Sequence, residues 1–98
     1  MKDFSAFEQI IGITFKSKET LQQAFTHRSY INENPRSGLV HNERLEFLGD
    51  AVLELVVTDY LFTTYPEHAE GDLTAYRSAL VNAVVAAEVA QDLGMNEY

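Results

Sequence analysis

The stretch "NERLEFLGDAVLELVV", Asn42 to Val57, decides how the chain is read. It has the spacing of a helix and is apolar around most of its circumference. Yet Glu43, Glu46, Asp50 and Glu54 all lie within it. On a helical wheel with Glu43 at zero, Glu46 falls at about −60°, Asp50 at about −20° and Glu54 at about +20°. The four acids therefore share an arc of about 80° on a single face. Leu45, Leu48, Val52, Leu55 and Val56 cluster opposite, and that side is expected to face the core. Leu53, Val57 and Leu61 lie beside or within the acidic arc, and Phe47 falls at about +40°. The stripe is thus bordered by apolar residues and not by the lysines and serines of an ordinary wet face.

Such a stripe is unfavourable by itself. Like charges at i, i+4, as in Glu46 and Asp50, destabilise an isolated helix by roughly 0.2–0.5 kcal/mol. Solvation in a groove offsets this, and so does a hard divalent cation, for which carboxylate oxygens are suitable ligands. One helical turn separates the two acids by about 6 Å along the axis, close enough to converge on one ion. Gly49, between them, costs roughly 1 kcal/mol relative to alanine. It admits two readings: close approach of a helix or ligand, or a tolerated small residue at a helix crossing. Phe47 is either core or a plug for an apolar socket on a partner.

Outward from this segment the pattern stays helical. Phe4, Phe7, Ile10 and Ile11 have helical spacing and Gly12 supplies a stop. Ser17 is a cap for a second helix, with Glu19 in its first turn and Leu21, Ala24 and Phe25 facing inward. "NENPRSG" breaks the pattern as a loop. The long third helix starts near Asn42, a good N-cap, runs to about Thr64 and ends at Tyr65-Pro66. After the connector "EHAEGD", Leu73, Tyr76, Leu80 and Val81 mark a fourth helix. Asn82 caps a fifth, with Val85, Ala86, Val89 and Leu93 on one side and Gly94 closing it. No strand-like alternation occurs. The expected fold is all-α, a bundle of about five helices.

Ninety-eight residues suit one domain, and a hydrophobic share of 46% is enough for a core. The absence of cysteine excludes a disulfide scaffold, a thiolate zinc site and a cysteine nucleophile. No apolar run is long enough to span a bilayer, and "MKDFSAFEQ" lacks the pattern of a secretory signal. A soluble, cytoplasmic protein without membrane contact is expected. Seven Lys and Arg against fifteen Asp and Glu give a net charge of −8. By charge alone this argues against nucleic-acid binding, unless carboxylate-held cations reverse the local field.

The residues themselves carry a resemblance. "HNERLEFLGDAVLELVVTDYL", His41 to Leu61, closely resembles the signature segment of the ribonuclease III family of double-stranded RNA endonucleases. "LQQAFTHRSY", "EGDLTAYRSALVN" and "AQDLGMNEY" resemble further family segments in the family's order. The resemblance implies a Mg²⁺-dependent nuclease, with Mn²⁺ as a substitute. It would act as a homodimer through the signature helix and hydrolyse both strands of duplex RNA in RNA processing. The products would carry 5′-phosphate and 3′-hydroxyl ends. It places Glu46 and Asp50 as catalytic metal ligands, Glu43 and Glu70 at the periphery of the catalytic valley, and Phe47 at the dimer interface. Duplex RNA would be read mainly by shape and 2′-hydroxyls. The family's second acidic segment and its double-stranded-RNA-binding domain do not occur in residues 1–98. The expectation is therefore the N-terminal portion of a ribonuclease III endonuclease domain, truncated and by itself inactive. The competing reading is a non-catalytic module of the same fold, kept for dimerisation or as an RNA–protein scaffold. Retention of both Glu46 and Asp50 favours the enzyme.

Other residues weigh less. Arg44 and Arg77 are candidates for phosphate contact, or for pairing with Glu43, Glu70 or helix ends. Thr26-His27-Arg28-Ser29 has the residue types of a nucleophilic site but lacks an orienting acid. It reads as the end of a helix, with His27 capping or packing. His41 and His68 are loop residues beside acids. Asp59 falls on the apolar side of the third helix and is expected to find a hydrogen-bonding partner. Glu54 has no assigned role.

Overall fold

The computed structural model describes residues 3–98, and every regular element among them is helical. The order is α1 (Ser5–Ile11), α2 (Lys18–Ala24), α3 (Arg28–Glu33), α4 (Glu43–Thr64), α5 (Glu70–Leu80) and α6 (Ala83–Asp92), then a 3₁₀ turn at Met95–Glu97. The all-α expectation holds, with six α-helices in place of about five.

The boundaries follow local chemistry. Gly12 ends α1 in the left-handed region at φ 72°, and its N–H donates to the Glu8 carbonyl. Ser17 Oγ accepts from the Thr20 N–H at the start of α2. Asn82 Oδ1 accepts from the Val85 N–H at the start of α6, while its Nδ2 donates back to the Ser78 and Ala79 carbonyls. One residue thereby closes α5 and opens α6. The polar run after Tyr30 concealed α3. Thr26 to Ser29 does not end a helix; it opens one, because His27 Nδ1 accepts from the Ser29 N–H as an N-cap. Glu70 likewise leaves the connector and enters the first turn of α5.

The core is small and lies where α1, α2 and the C-terminal turn meet. Phe4, Phe7 and Leu21 are buried, with Ile11, Phe25, Met95 and Tyr98 packed on them. Phe4 stacks on Phe25 at 4.9 Å, Phe7 meets Phe25 edge-on at 5.2 Å, and Tyr98 meets Phe7 at 5.4 Å. Such pairs contribute about 0.5–1.5 kcal/mol each beyond the area they bury. Ile10 and Ala24, expected inside, are exposed.

The main correction concerns α4. Its leucine face is not a core face in this chain: Leu48, Val52, Leu55 and Val56 are all exposed, Leu55 at 70%, and only Leu45 is half-buried. The buried residue of α4 is Leu61, 3% exposed. On the same wheel Leu61 falls at about 0° and Val57 at about −40°, so α4 packs through the side that carries the acids. That side meets α5, which folds back along α4 and is tied to it by Arg77 Nη1 donating to Thr58 Oγ1 at 3.0 Å. Asp59 makes no side-chain hydrogen bond among the described residues and lies in solvent, where none is required.

Candidate functional site

The carboxylate helix is seated at its N-terminus on the corner between α2 and α3. The Asn42 N–H donates to the Thr26 carbonyl at 2.9 Å, and Asn42 Nδ2 donates to the Ala24 carbonyl at 2.8 Å. Gln23 Nε2 donates to the His41 carbonyl at 3.1 Å. Arg28 Nη1 lies 3.2 Å from Glu43 Oε1 and 3.4 Å from Oε2, an exposed ion pair. This seat was not foreseen beyond Asn42 as a cap. Its contacts span 15 to 18 residues of sequence, and no local pattern announces them.

Glu46 and Asp50 both stand exposed on α4, one turn apart. Their stripe runs in line with the α4–α5 contact. Because Thr58 is level with Arg77, α5 ends opposite about residue 55, and the two acids continue the same face past its end. Glu43 begins that stripe but is engaged by Arg28. Glu54 is exposed between the pair and the packed region. Glu70 lies beside the far end of α4, about 20 Å or more from Asp50 along the helix. Within this chain Glu43, Glu46 and Asp50 lie along one stripe of α4, and Glu70 lies apart on α5.

Phe47 projects from the helix at 82% exposure. Arg44 is exposed, whereas Arg77 is half-buried and engaged by Thr58, not by Glu43 or Glu70. Nothing outside the backbone of its own helix lies within 4 Å of where a Cβ on Gly49 would stand, so none of the other described elements makes a close approach there. The histidines are structural. His27 caps α3, His41 Nδ1 accepts from the Glu43 N–H at 3.4 Å, and His68 Nδ1 pairs with Tyr76 Oη at 3.0 Å in the α4–α5 turn.

The donor chemistry suits a magnesium ion. Mg²⁺ keeps several waters and is commonly held by one or two carboxylates together with substrate phosphates. Glu46 and Asp50 supply that number of hard oxygen ligands on an open face. Among the described residues no group of three or more potential ligands converges, so no closed metal cage is present among them.

Comparison with known proteins decides the lineage. A family model described as ribonuclease-III-like matches residues 17–98. The chain belongs to the ribonuclease-III-like family. Ribonuclease 3 of Listeria monocytogenes is 48% identical over 98 residues, all of this chain and 43% of the Listeria protein. Ribonuclease 3 of Carboxydothermus hydrogenoformans is 50% identical over 93 residues, 95% of this chain and 40% of that protein. The chain thus spans less than half the length of these ribonuclease 3 relatives. Two solved structures of the ribonuclease III nuclease domain from Campylobacter jejuni superpose on it. One has a TM-score of 0.86 at 43% identity, covering 98% of this chain and 63% of that domain. The other has a TM-score of 0.84 at 44% identity, covering all of this chain and 63% of that domain. The first is described as having structural flexibility in the region involved in dimer formation.

Proposed function

We propose that the protein carrying this chain is a Mg²⁺-dependent endoribonuclease that cuts double-stranded RNA, with Glu46 and Asp50 as metal ligands from this portion. The observation that carries the reading is the open pair of carboxylates one turn apart on the signature helix of a ribonuclease-III-like fold. When bound, magnesium would supply an activated water and charge neutralisation at the phosphodiester. Glu46 and Asp50 would hold and orient the ion on an exposed face of α4. Glu43, engaged by Arg28, lies at the edge of that face. Cations between carboxylate and phosphate also reconcile a net charge of −8 with a polyanionic substrate.

Products with 5′-phosphate and 3′-hydroxyl ends, a role in RNA processing and a cytoplasmic location belong to the same reading. So does a homodimer in which Phe47 and the exposed leucine face of α4 meet a partner. Duplex RNA cleavage with Mg²⁺ tests it: Glu46→Gln and Asp50→Asn should each abolish cutting while leaving the helical circular dichroism unchanged. Undiminished cleavage by both variants removes the assignment. The 98 residues alone supply only the pair, and are expected to leave duplex RNA intact.

A further inference from the structure

We propose that Asn42 is a positioning residue for the metal pair: it fixes the backbone of Glu46 to the corner between α2 and α3. The proposal rests on the reading of Glu46 and Asp50 as metal ligands. At a helix N-cap, the side chain of an asparagine ordinarily accepts from the second or third N–H of the helix it starts. Asn42 does not; its side chain makes no capping bond to α4. Its amide instead donates to the Ala24 carbonyl at 2.8 Å, and its own N–H donates to the Thr26 carbonyl at 2.9 Å. Its carbonyl accepts from the Glu46 N–H at 2.8 Å. Three bonds through one residue therefore run from the corner to the backbone of a proposed ligand.

The corner is a firm support. Thr26 is buried and its Oγ1 donates to the Gln22 carbonyl at 2.8 Å. Phe25, between the two carbonyls that Asn42 contacts, stacks into the aromatic core against Phe4 and Phe7. Gln23 adds a parallel bond to the His41 carbonyl. The first turn of α4 is thus referred to the core, although most of the helix beyond it is in solvent. Groups that orient a metal ligand without touching the ion are worth about 10–100-fold in metal affinity.

Asn42→Ser separates this role from helix capping, because serine is a good N-cap without added charge but is too short to reach Ala24. The protein carrying this chain is titrated with Mn²⁺ and followed by electron paramagnetic resonance. Mg²⁺-dependent cleavage and amide exchange at Glu46 and Phe47 are measured beside it. The expected result is Mn²⁺ affinity and half-saturating Mg²⁺ shifted about tenfold, with kcat at saturating Mg²⁺ within about twofold of wild type and faster exchange at Glu46. A residue with only a structural role would lower the melting temperature and leave half-saturation unmoved; that outcome overturns the proposal. If Asn42→Ser does not fold, Gln23→Ala weakens the same seat. It should shift half-saturation in the same direction by about threefold, and no shift overturns the proposal equally. Glu46→Gln serves as the control. Loss of Mn²⁺ binding there with none of the shift in Asn42→Ser overturns the positioning claim alone. Unaltered Mn²⁺ binding in Glu46→Gln overturns the metal reading beneath it.

Discussion

Glu8 is only 8% exposed, and its carboxylate is surrounded by donors. Lys18 Nζ lies 2.6 Å and 2.8 Å from its two oxygens, and the Phe15 N–H donates to it at 2.7 Å. The Lys18 hydrogen bond, then the Phe15 N–H, hold its pKa below the ordinary 4.5. Asp3 is lowered in the same way by the Ser5 N–H and hydroxyl. For a lowered carboxylate the unfolded state binds more protons, so the stabilisation is full above the ordinary pKa and is lost as pH falls through the folded one. Thermal melts between pH 7 and pH 3 should therefore show an acid limb beginning near pH 4.5, and Glu8→Gln should flatten it. At the same scale two phenylalanines should behave oppositely. Phe7, 4% exposed, should lose about 3–5 kcal/mol of chain stability on truncation to alanine. Phe47→Ala should change chain stability by less than about 0.5 kcal/mol, since the ring lies in solvent. Its effect should appear in sedimentation of the nuclease domain, as a weakened dimer. Denaturant melts of the two variants side by side check the contrast.

Among the elements, what could be read from sequence is what local chemistry decides. Ser17, Asn82, Gly12 and Gly94 mark helix ends by bonds that span a few residues, and all four do so in the structure. The six residues of α3 escaped because an amphipathic period needs about two turns to show, and only Tyr30 and Ile31 among them are apolar or aromatic. That Glu46 and Asp50 stand one turn apart on a single helix was legible in their spacing. The seat around Asn42 was not, because Ala24 and Thr26 reach it only through the fold. The wheel also misjudged which side of α4 packs. It separates apolar from acidic faces but carries no information on whether the covering partner lies within the same chain. Gly49 has room for a side chain and helical φ, so Gly49→Ala should stabilise α4 by about 0.5–1 kcal/mol. Helical ellipticity and the urea midpoint of this chain measure it; no rise would mean that this position is strained in a way its open surroundings do not suggest.

For the whole molecule, one length and one area describe the shortfall in packing. The radius of gyration is 16.4 Å, against about 13 Å for a compact chain of this size. The accessible surface is 7831 Å², against about 5,700 Å² for a folded monomer of this mass. The difference of about 2,000 Å² exceeds the roughly 800 Å² that each partner buries in a standard protein–protein interface, and the exposed leucine side of α4 is part of that surface. The isolated 98 residues should accordingly self-associate at tens of micromolar and bind a hydrophobic dye. A monomeric sedimentation profile with no dye signal would show that this surface is covered some other way. The same geometry can be put in mechanical terms. A beam held at two points sags most at midspan. α4 is gripped at Asn42 and again from Thr58, which leaves a free span of about 24 Å with Gly49 and Asp50 at its middle. Glu46 rides about a quarter of the way along, bonded through its N–H to the support at Asn42, while Asp50 rides where deflection is greatest. Any curvature of the helix therefore alters the gap between the two carboxylates. Whatever presses on the leucine side from outside sets the stiffness of that span, and with it the width of the gap.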